Sequence, residues 1–525
     1  MKNVETNPKT PQETVTISRE EYNNLIAQNK ELSQKVLWLM ETINLNNKKI
    51  FGSSSEKTVE EESAQLSVFN EAEETANIKR PEPELEEVKS HYRKKRTKKD
   101  RIPGDLPVEI IEYRLNKDEL ECPECGEELH EMGKEIVREE LKIIPAHAVI
   151  VQHVRYTYSC RSCERTGTEV PVIKAPVKNA VIKGGFASPE TVAYIMTQKY
   201  LMDIPLYRQE NDFKRKDIQL SRQTMANWII KCSEMWLNPI YDELHKKMVN
   251  SETAHADETT IQVLKEPGRK AQNKSYMWLY RTGQYEKDQI ALYNYRMGRK
   301  PEYAQEFLSG FSGYLHCDGY QGYKTLKNVI LVQCLSHVRR KFDEALKCLK
   351  EEERKDSKAS IGLAYCNKLF KIEENIKALI PEEKYIKRQE LSKPVLEDFF
   401  AWLNSFTPAS QSHLGKAVSY TLNQWNNLQN YLLDGRLNIS NNPAEHLAKS
   451  FALCRKNFLF SNTPSGAEAS AAVMSIIETA KINKIDPFKY LTYIFQTAPQ
   501  LDMTKTENVQ KLLPEVFKNG QKENA

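Results

Sequence analysis

Apolar positions along the chain change their spacing several times, and each change marks a new element. From Glu20 to Ile50 they recur every three and four residues. Tyr22, Asn29, Val36, Ile43 and Ile50 fall at a positions, Leu25, Leu32 and Leu39 at d, and Asn46 takes the last d. This predicts a short coiled coil in which Asn29 can fix register and strand number. A helix packed on another domain would show the same stripe. Residues 55–100 are polar and without period, so a flexible linker is expected. "LKIIPAHAVIVQHVRYTYSC" then alternates as strands do, whereas 186–248 returns to a helical pattern.

From Glu252 five stretches read as strands: "HADETTIQVL", "SYMWLYRTG", "DQIALYNYR", "GYLHCDGYQGY" and "NVILVQCLSHVRRKF". The first three are joined by turn-like gaps, which suggests an antiparallel meander. Short helices near Glu302 and Tyr323 separate the rest, which suggests an α/β domain with a mixed sheet. Trp278 and Tyr280 read as core. Residues 342–435 carry almost no strand signal and are predicted helical, followed by helices at "NNPAEHLAKSFALCRKNFLF", "GAEASAAVMSIIETAKIN" and "DPFKYLTYIF". The expected organisation is multidomain α+β: a coiled coil (1–50), a linker (51–100), a cysteine-bearing β unit (101–178), a helical unit (179–250), a β-rich block (251–341), a helical insertion (342–435), a further helical part (436–480) and a C-terminal helical segment (481–525).

At 525 residues the chain should hold three or more units. No apolar run approaches the ~20 residues of a membrane span, and "MKNVETNPKTPQE" lacks a signal-peptide core, so a cytoplasmic protein with no membrane partner is expected. The net charge of +4 is unevenly spread: 56–87 is acidic, whereas "HYRKKRTKKDR" is densely basic. Such a block is either a solvated tail or a contact to nucleic-acid phosphates.

In a cytosolic chain the ten cysteines are expected as thiols or metal ligands. Cys122-x2-Cys125 and Cys160-x2-Cys163 each set two thiolates on a tight turn. Four thiolates complete a closed tetrahedral site for one structural Zn2+. In the helical unit Ser221 is expected to cap a helix that carries Arg222, Gln223 and Asn227 outward. That resembles a helix-turn-helix recognition helix, and an ordinary amphipathic helix would look the same.

Three acids stand out by context. Asp257 lies in the first strand with His255 and Thr259 on its face, and Glu258 points the other way. Asp318 follows "GYLHC", with Gly319 and Gly322 leaving room for something bulky. Glu445 opens a helix after Asn441-Asn442-Pro443, with Lys449 one turn on. Three carboxylates converging at strand ends repel one another unless metal ions neutralise them. Two Mg2+ (or Mn2+) ions held by carboxylates serve phosphoryl transfer.

"HADET", "HCDGYQGY", "CLSHVRRKF" and "NNPAEHLAKSFALCRKNFLF…IETAKINKIDP" together resemble the DDE transposases of the insertion-sequence-66 family (TnpC-type) over nearly the whole chain. The resemblance implies a ribonuclease H-like core split between 251–341 and 436–480, with Asp257, Asp318 and Glu445 as its metal-binding triad. Two departures are visible: Ser440 and Leu335 stand where family members often have Asp and Trp.

The expected function is that of an insertion-sequence transposase. It would bind double-stranded DNA at element ends and target, cleave it with Mg2+ and join strands by transesterification. The alternatives are a non-catalytic zinc and helix-turn-helix DNA-binding protein on a degenerate nuclease core, and a nuclease that cuts without joining. Beyond the triad, His337, Arg339, Arg340, Arg455 and Lys456, with Lys449, Arg222 and Gln223, are candidate phosphate or DNA contacts. A homodimer or higher oligomer, accessory proteins of the same element and a bacterial nucleoid setting are further expectations.

Overall fold

The computed structural model describes residues 18–29, five positions between 32 and 40, 148–159 and 172–523. The four knuckle cysteines, the basic block His91–Arg101 and heptad positions Ile43, Asn46 and Ile50 lie outside the described residues. Two compact units emerge, 55–175 and 1–54 together with 176–525. Among the described residues no helix is long and apolar enough to cross a membrane.

In the unit 55–175, β1 (Thr157–Ser159) pairs antiparallel with β2 (Val172–Lys174), Thr157 opposite Lys174. In the other unit, residues 19–29 are helical. Ser18 and Glu21 form a reciprocal cap: Glu21 N–H donates to Ser18 Oγ at 3.1 Å, and Ser18 N–H donates to Glu21 Oε2 at 3.0 Å.

The helical block comprises α1 (Pro189–Tyr200), α2 (Leu206–Arg215), α3 (Arg222–Cys232) and α4 (Asn238–Val249). Ser221 caps α3 by accepting from Thr224 N–H at 3.2 Å. Met225, Trp228 and Ile229 turn inward, while Arg222, Gln223 and Asn227 are exposed.

The five strand stretches form one mixed sheet in the order β5-β4-β3-β6-β7. These are β3 (Thr253–Gln262), β4 (Lys274–Thr282), β5 (Ala291–Arg296), β6 (Tyr314–Cys317) and β7 (Ile330–Gln333). The first three are antiparallel, and β6 and β7 add in parallel beside β3. Trp278 and Tyr280 are fully buried, Tyr280 stacking at 3.9 Å on Phe307 of α5 (Pro301–Phe307). The fifth strand is shorter than the alternation suggested. It stops at Gln333, because Leu335, Val338, Phe342 and Ala345 bury one face of a helix, α6 (Leu335–Lys347).

The helical stretch continues through α7 (Lys358–Asn375), α8 (Pro381–Lys387), α9 (Lys393–Asn404) and α10 (His413–Leu428). These enclose a second apolar cluster that includes Phe342, Leu369, Phe399 and Tyr431. Inside it Arg388 pairs with Glu373 at 2.6 Å and donates to the carbonyls of Tyr431, Asp434 and Leu437. The chain then returns to the sheet with α11 (Asn442–Phe458), α12 (Pro464–Ile482) and α13 (Pro487–Thr497). Edge strand β5 is covered by α12. Ser475 Oγ accepts from Tyr293 N–H at 2.8 Å and Thr479 Oγ1 from Ala291 N–H at 3.0 Å, so the strand's outer donors are satisfied by helix hydroxyls.

Candidate active site

The parallel register sets the first two acids side by side. His255 is opposite His316, and Asp257 and Asp318 each stand two residues beyond that pair. Since β6 ends at Cys317, Asp318 is free to turn. Its Oδ1 accepts from Tyr320 N–H at 2.9 Å, the local bond that aspartate makes at a turn. The glycines behind it do not hold open space. A side chain at Gly319 would strike the Tyr420 ring of α10, and one at Gly322 the Tyr320 ring, so the room is taken by the chain's own aromatics.

Glu258 corrects the alternation argument. Its backbone does face away from Asp257, yet carboxylate atoms of Asp257, Glu258 and Asp318 all lie within 4.8 Å of one another. On the β6 side the pairing of β3 ends at His255, whereas β4 continues beside Asp257 and Glu258. Tyr323 Oη donates to Glu258 Oε2 at 2.7 Å and Arg299 Nε to Oε1 at 2.6 Å. Arg299 also lies 3.9 Å from Asp318 and covers the Tyr320 ring at 4.1 Å. Two of the three acids, Glu258 and Asp318, share this guanidinium. Burial first, then the Glu258 charge, with Asp318 and Glu445 adding, pushes Asp257 up to about 8. Glu258 is raised as well, by burial and Asp318.

Glu445 approaches from α11 on the His255 face. Its carboxylate meets Cys334 Sγ at 3.8 Å, His337 Nδ1 at 3.9 Å and Arg340 at 4.0 Å. The cluster around it is thus separate from that of Asp257 and Asp318, while its charge is still felt by Asp257. The residue that sets this placement is Asn441, which the sequence marked only as part of a helix start. Its Nδ2 donates to Ala256 O at 2.8 Å, its Oδ1 accepts from His255 Nδ1–H at 3.0 Å, and its backbone N–H donates to Cys334 Sγ at 3.1 Å. Having spent its side chain across the gap, it makes no capping bond to α11.

His255 and His316 stack at 4.2 Å and are fully buried, and burial holds both well below the ordinary histidine range. Each is a neutral spacer: His316 Nε2 accepts from Asn438 N–H at 2.9 Å, tying the loop before α11 to β6.

The basic candidates divide. Arg340 is more than half exposed beside Glu445, and Lys449 is exposed on α11. Arg339 donates to Asn367 at 2.7 Å. Arg455 is committed to the fold, bonding the carbonyl of Thr260 and, at 2.8 Å, its Oγ1. Arg222 lies over the Tyr207 ring at 5.7 Å, far along the chain from the acids. Lys456 sits in the last turn of α11.

Residues 184–469 match the family model described as Transposase IS66 family. The chain belongs to the IS66 transposase family. Residues 119–164 match the zinc-finger binding domain of transposase IS66, 38–111 a model described as Transposase C of IS166 homeodomain, and 475–514 the IS66 C-terminal element. Among curated proteins, the uncharacterized protein y4jD of Sinorhizobium fredii is 30% identical over 435 residues, 80% of this chain and 82% of the relative. Its companion y4hP is 28% identical over 454 residues, 82% and 79% of the two chains. The Drosophila P element transposase strand transfer complex matches with a TM-score of 0.30 at 9% identity, over 55% of this chain and 92% of that one, a likeness too low to bear on the fold.

Proposed function

We propose that this IS66-family chain is a DDE transposase that cleaves DNA at element ends and transfers the freed strand, with Asp257, Asp318 and Glu445 as its catalytic acids. The single observation that carries the reading is the convergence around Asp257. Asp318 leaves β6 at the matching register, and Asn441 holds the Glu445 helix against β3, one residue from Asp257. The five-stranded mixed sheet with an acid on its central strand is read as a ribonuclease H-like core.

The donor set suits a hard divalent cation. Asp257, Glu258 and Asp318 offer only oxygens, close together, and burial with the neighbouring carboxylates raises the Asp257 carboxyl. Magnesium or manganese, when bound there, supplies the charge that favours attack of an oxygen nucleophile on a phosphodiester. The chain's own part is positional. Asp257 presents its carboxylate from the middle of β3, and Asp318 from just past the end of the adjacent β6. Arg299 and Tyr323 restrain Glu258, and Arg340 at the rim is placed to meet a phosphate. The Cys122, Cys125, Cys160 and Cys163 knuckles are read as a structural zinc site within the DNA-binding part of the chain. The helix carrying Arg222 and Gln223 is its second candidate DNA contact.

The test is end cleavage and strand joining on terminal DNA with Mg2+ or Mn2+, using D257N, D318N and E445Q. Each should lose on the order of a thousandfold in rate while still binding DNA. Joining at the wild-type rate by any of the three would remove that residue from the triad.

A further inference from the structure

Glu445 divides its two oxygens between unlike neighbours. Oε2 faces Arg340, whereas Oε1 faces the Cys334 thiol and His337 Nδ1. That Nδ1 is buried and has no hydrogen-bond partner. The three donor atoms all lie within 4.8 Å of one another. Asn441 N–H points at the sulfur from outside the trio at 3.1 Å. Glu445 keeps 18% of its side-chain surface exposed and His337 25%, so an ion has a way in.

One thiol, one imidazole and one carboxylate are a poor set for magnesium and a good one for zinc. Around a tetrahedral zinc such donors stand about 3.3–3.5 Å apart. The observed 3.8 and 3.9 Å need only a small contraction. We propose that Cys334, His337 and Glu445 form a second, thiophilic metal site, for zinc foremost, with one coordination position left open. On binding, the thiol releases its proton to solvent, His337 ligates through neutral Nδ1, and Glu445 Oε1 turns to the zinc. Glu445 is thereby held on the Cys334 side, away from Asp257, so zinc acts as a brake on magnesium-driven cleavage. The site stands on its own geometry; the brake rests on the catalytic reading of Glu445.

The experiment uses the full chain as wild type, C334S and H337Q, equilibrated with micromolar free zinc and then analysed for bound metal by mass spectrometry. H337Q, altered at a partly exposed position, serves where buried Cys334 proves necessary for folding. Wild type should carry one zinc per chain more than either variant, and cobalt in its place should show a thiolate charge-transfer band that C334S weakens. Zinc should lower wild-type cleavage in magnesium on the order of a hundredfold, and the variants should lose that sensitivity in whatever cleavage they retain. Equal zinc content in all three proteins overturns the site. A zinc difference without inhibition overturns the brake alone. Full activity of E445Q would sink the triad reading yet leave the zinc count untouched, so the two failures are distinguishable.

Discussion

Asn441 joins the start of the Glu445 helix to the strand that bears Asp257, through its 2.8 Å bond to Ala256 O. The same side chain orients His255, and the same residue's N–H rests on Cys334. Three elements that meet at the acids are therefore held by one buried asparagine, through its side chain and its backbone N–H. In N441A the Ala256 carbonyl and His255 Nδ1–H lose their partner, which costs about 1–3 kcal/mol. The expected outcome is a lower melting temperature, together with end cleavage reduced by about tenfold or more and DNA affinity retained. Cleavage within twofold of wild type would show that the Glu445 helix is positioned by other contacts.

Arg388 acts at longer range. It is almost fully buried, pairs with Glu373 and gathers three carbonyls from the segment that leads back to the sheet. Replacing it by Met leaves Glu373 and those carbonyls without their cation, and such a break costs about 3–5 kcal/mol. R388M should melt earlier, and the double variant R388M/E373L should recover part of the loss, because no stranded charge remains. Thermal unfolding of the two variants checks this. An R388M protein as stable as wild type would mean that the cluster does not depend on the pair.

A third expectation concerns the knuckles. If Cys122, Cys125, Cys160 and Cys163 hold a structural zinc, C122S should lose one bound zinc and bind terminal DNA more weakly. Cleavage of a short substrate at saturating concentration should fall less. A band-shift titration beside metal analysis reads both. Unchanged DNA affinity after loss of the metal would assign the unit a role other than end binding.

Much of the architecture was legible because burial imposes period. The alternation in "HADETTIQVL" and "SYMWLYRTG" returned as β3 and β4, and the strandless stretch after Phe342 as the helices α7 to α10. Chemistry that depends on chain returning upon chain was not legible. Alternation sets Glu258 on the far face and does not see that its carboxylate, held by Tyr323 and Arg299, lies within 4.8 Å of those of Asp257 and Asp318. The space inferred behind Asp318 was real in the backbone but filled by Tyr420, a hundred residues on. Asn441 looked like a helix cap, since its partners Ala256, His255 and Cys334 are distant in sequence. Arg455 looked like a phosphate ligand for the same reason: nothing local reveals that Thr260 already holds it.

The crowded acids also predict how stability depends on pH. Asp257, ordinarily near 3.8, is pushed to about 8 when no cation is present. The native chain therefore keeps a proton that the unfolded chain gives up. This contribution is fully present below 3.8 and is lost as pH rises through about 8. In magnesium-free buffer, wild type should become less stable between pH 6 and pH 8.5, by on the order of a few degrees in melting temperature. D257N cannot ionise at that position and should show a flatter profile. His255 and His316, buried and neutral, destabilise the fold only on the acid side, and they are common to both proteins, so they cancel in the difference. Adding magnesium at pH 8 should restore wild type and leave D257N largely unmoved. The measurement is the wild-type minus D257N melting difference across pH, with and without the cation. A difference that does not change with pH would mean that Asp257 is already ionised and balanced within the fold.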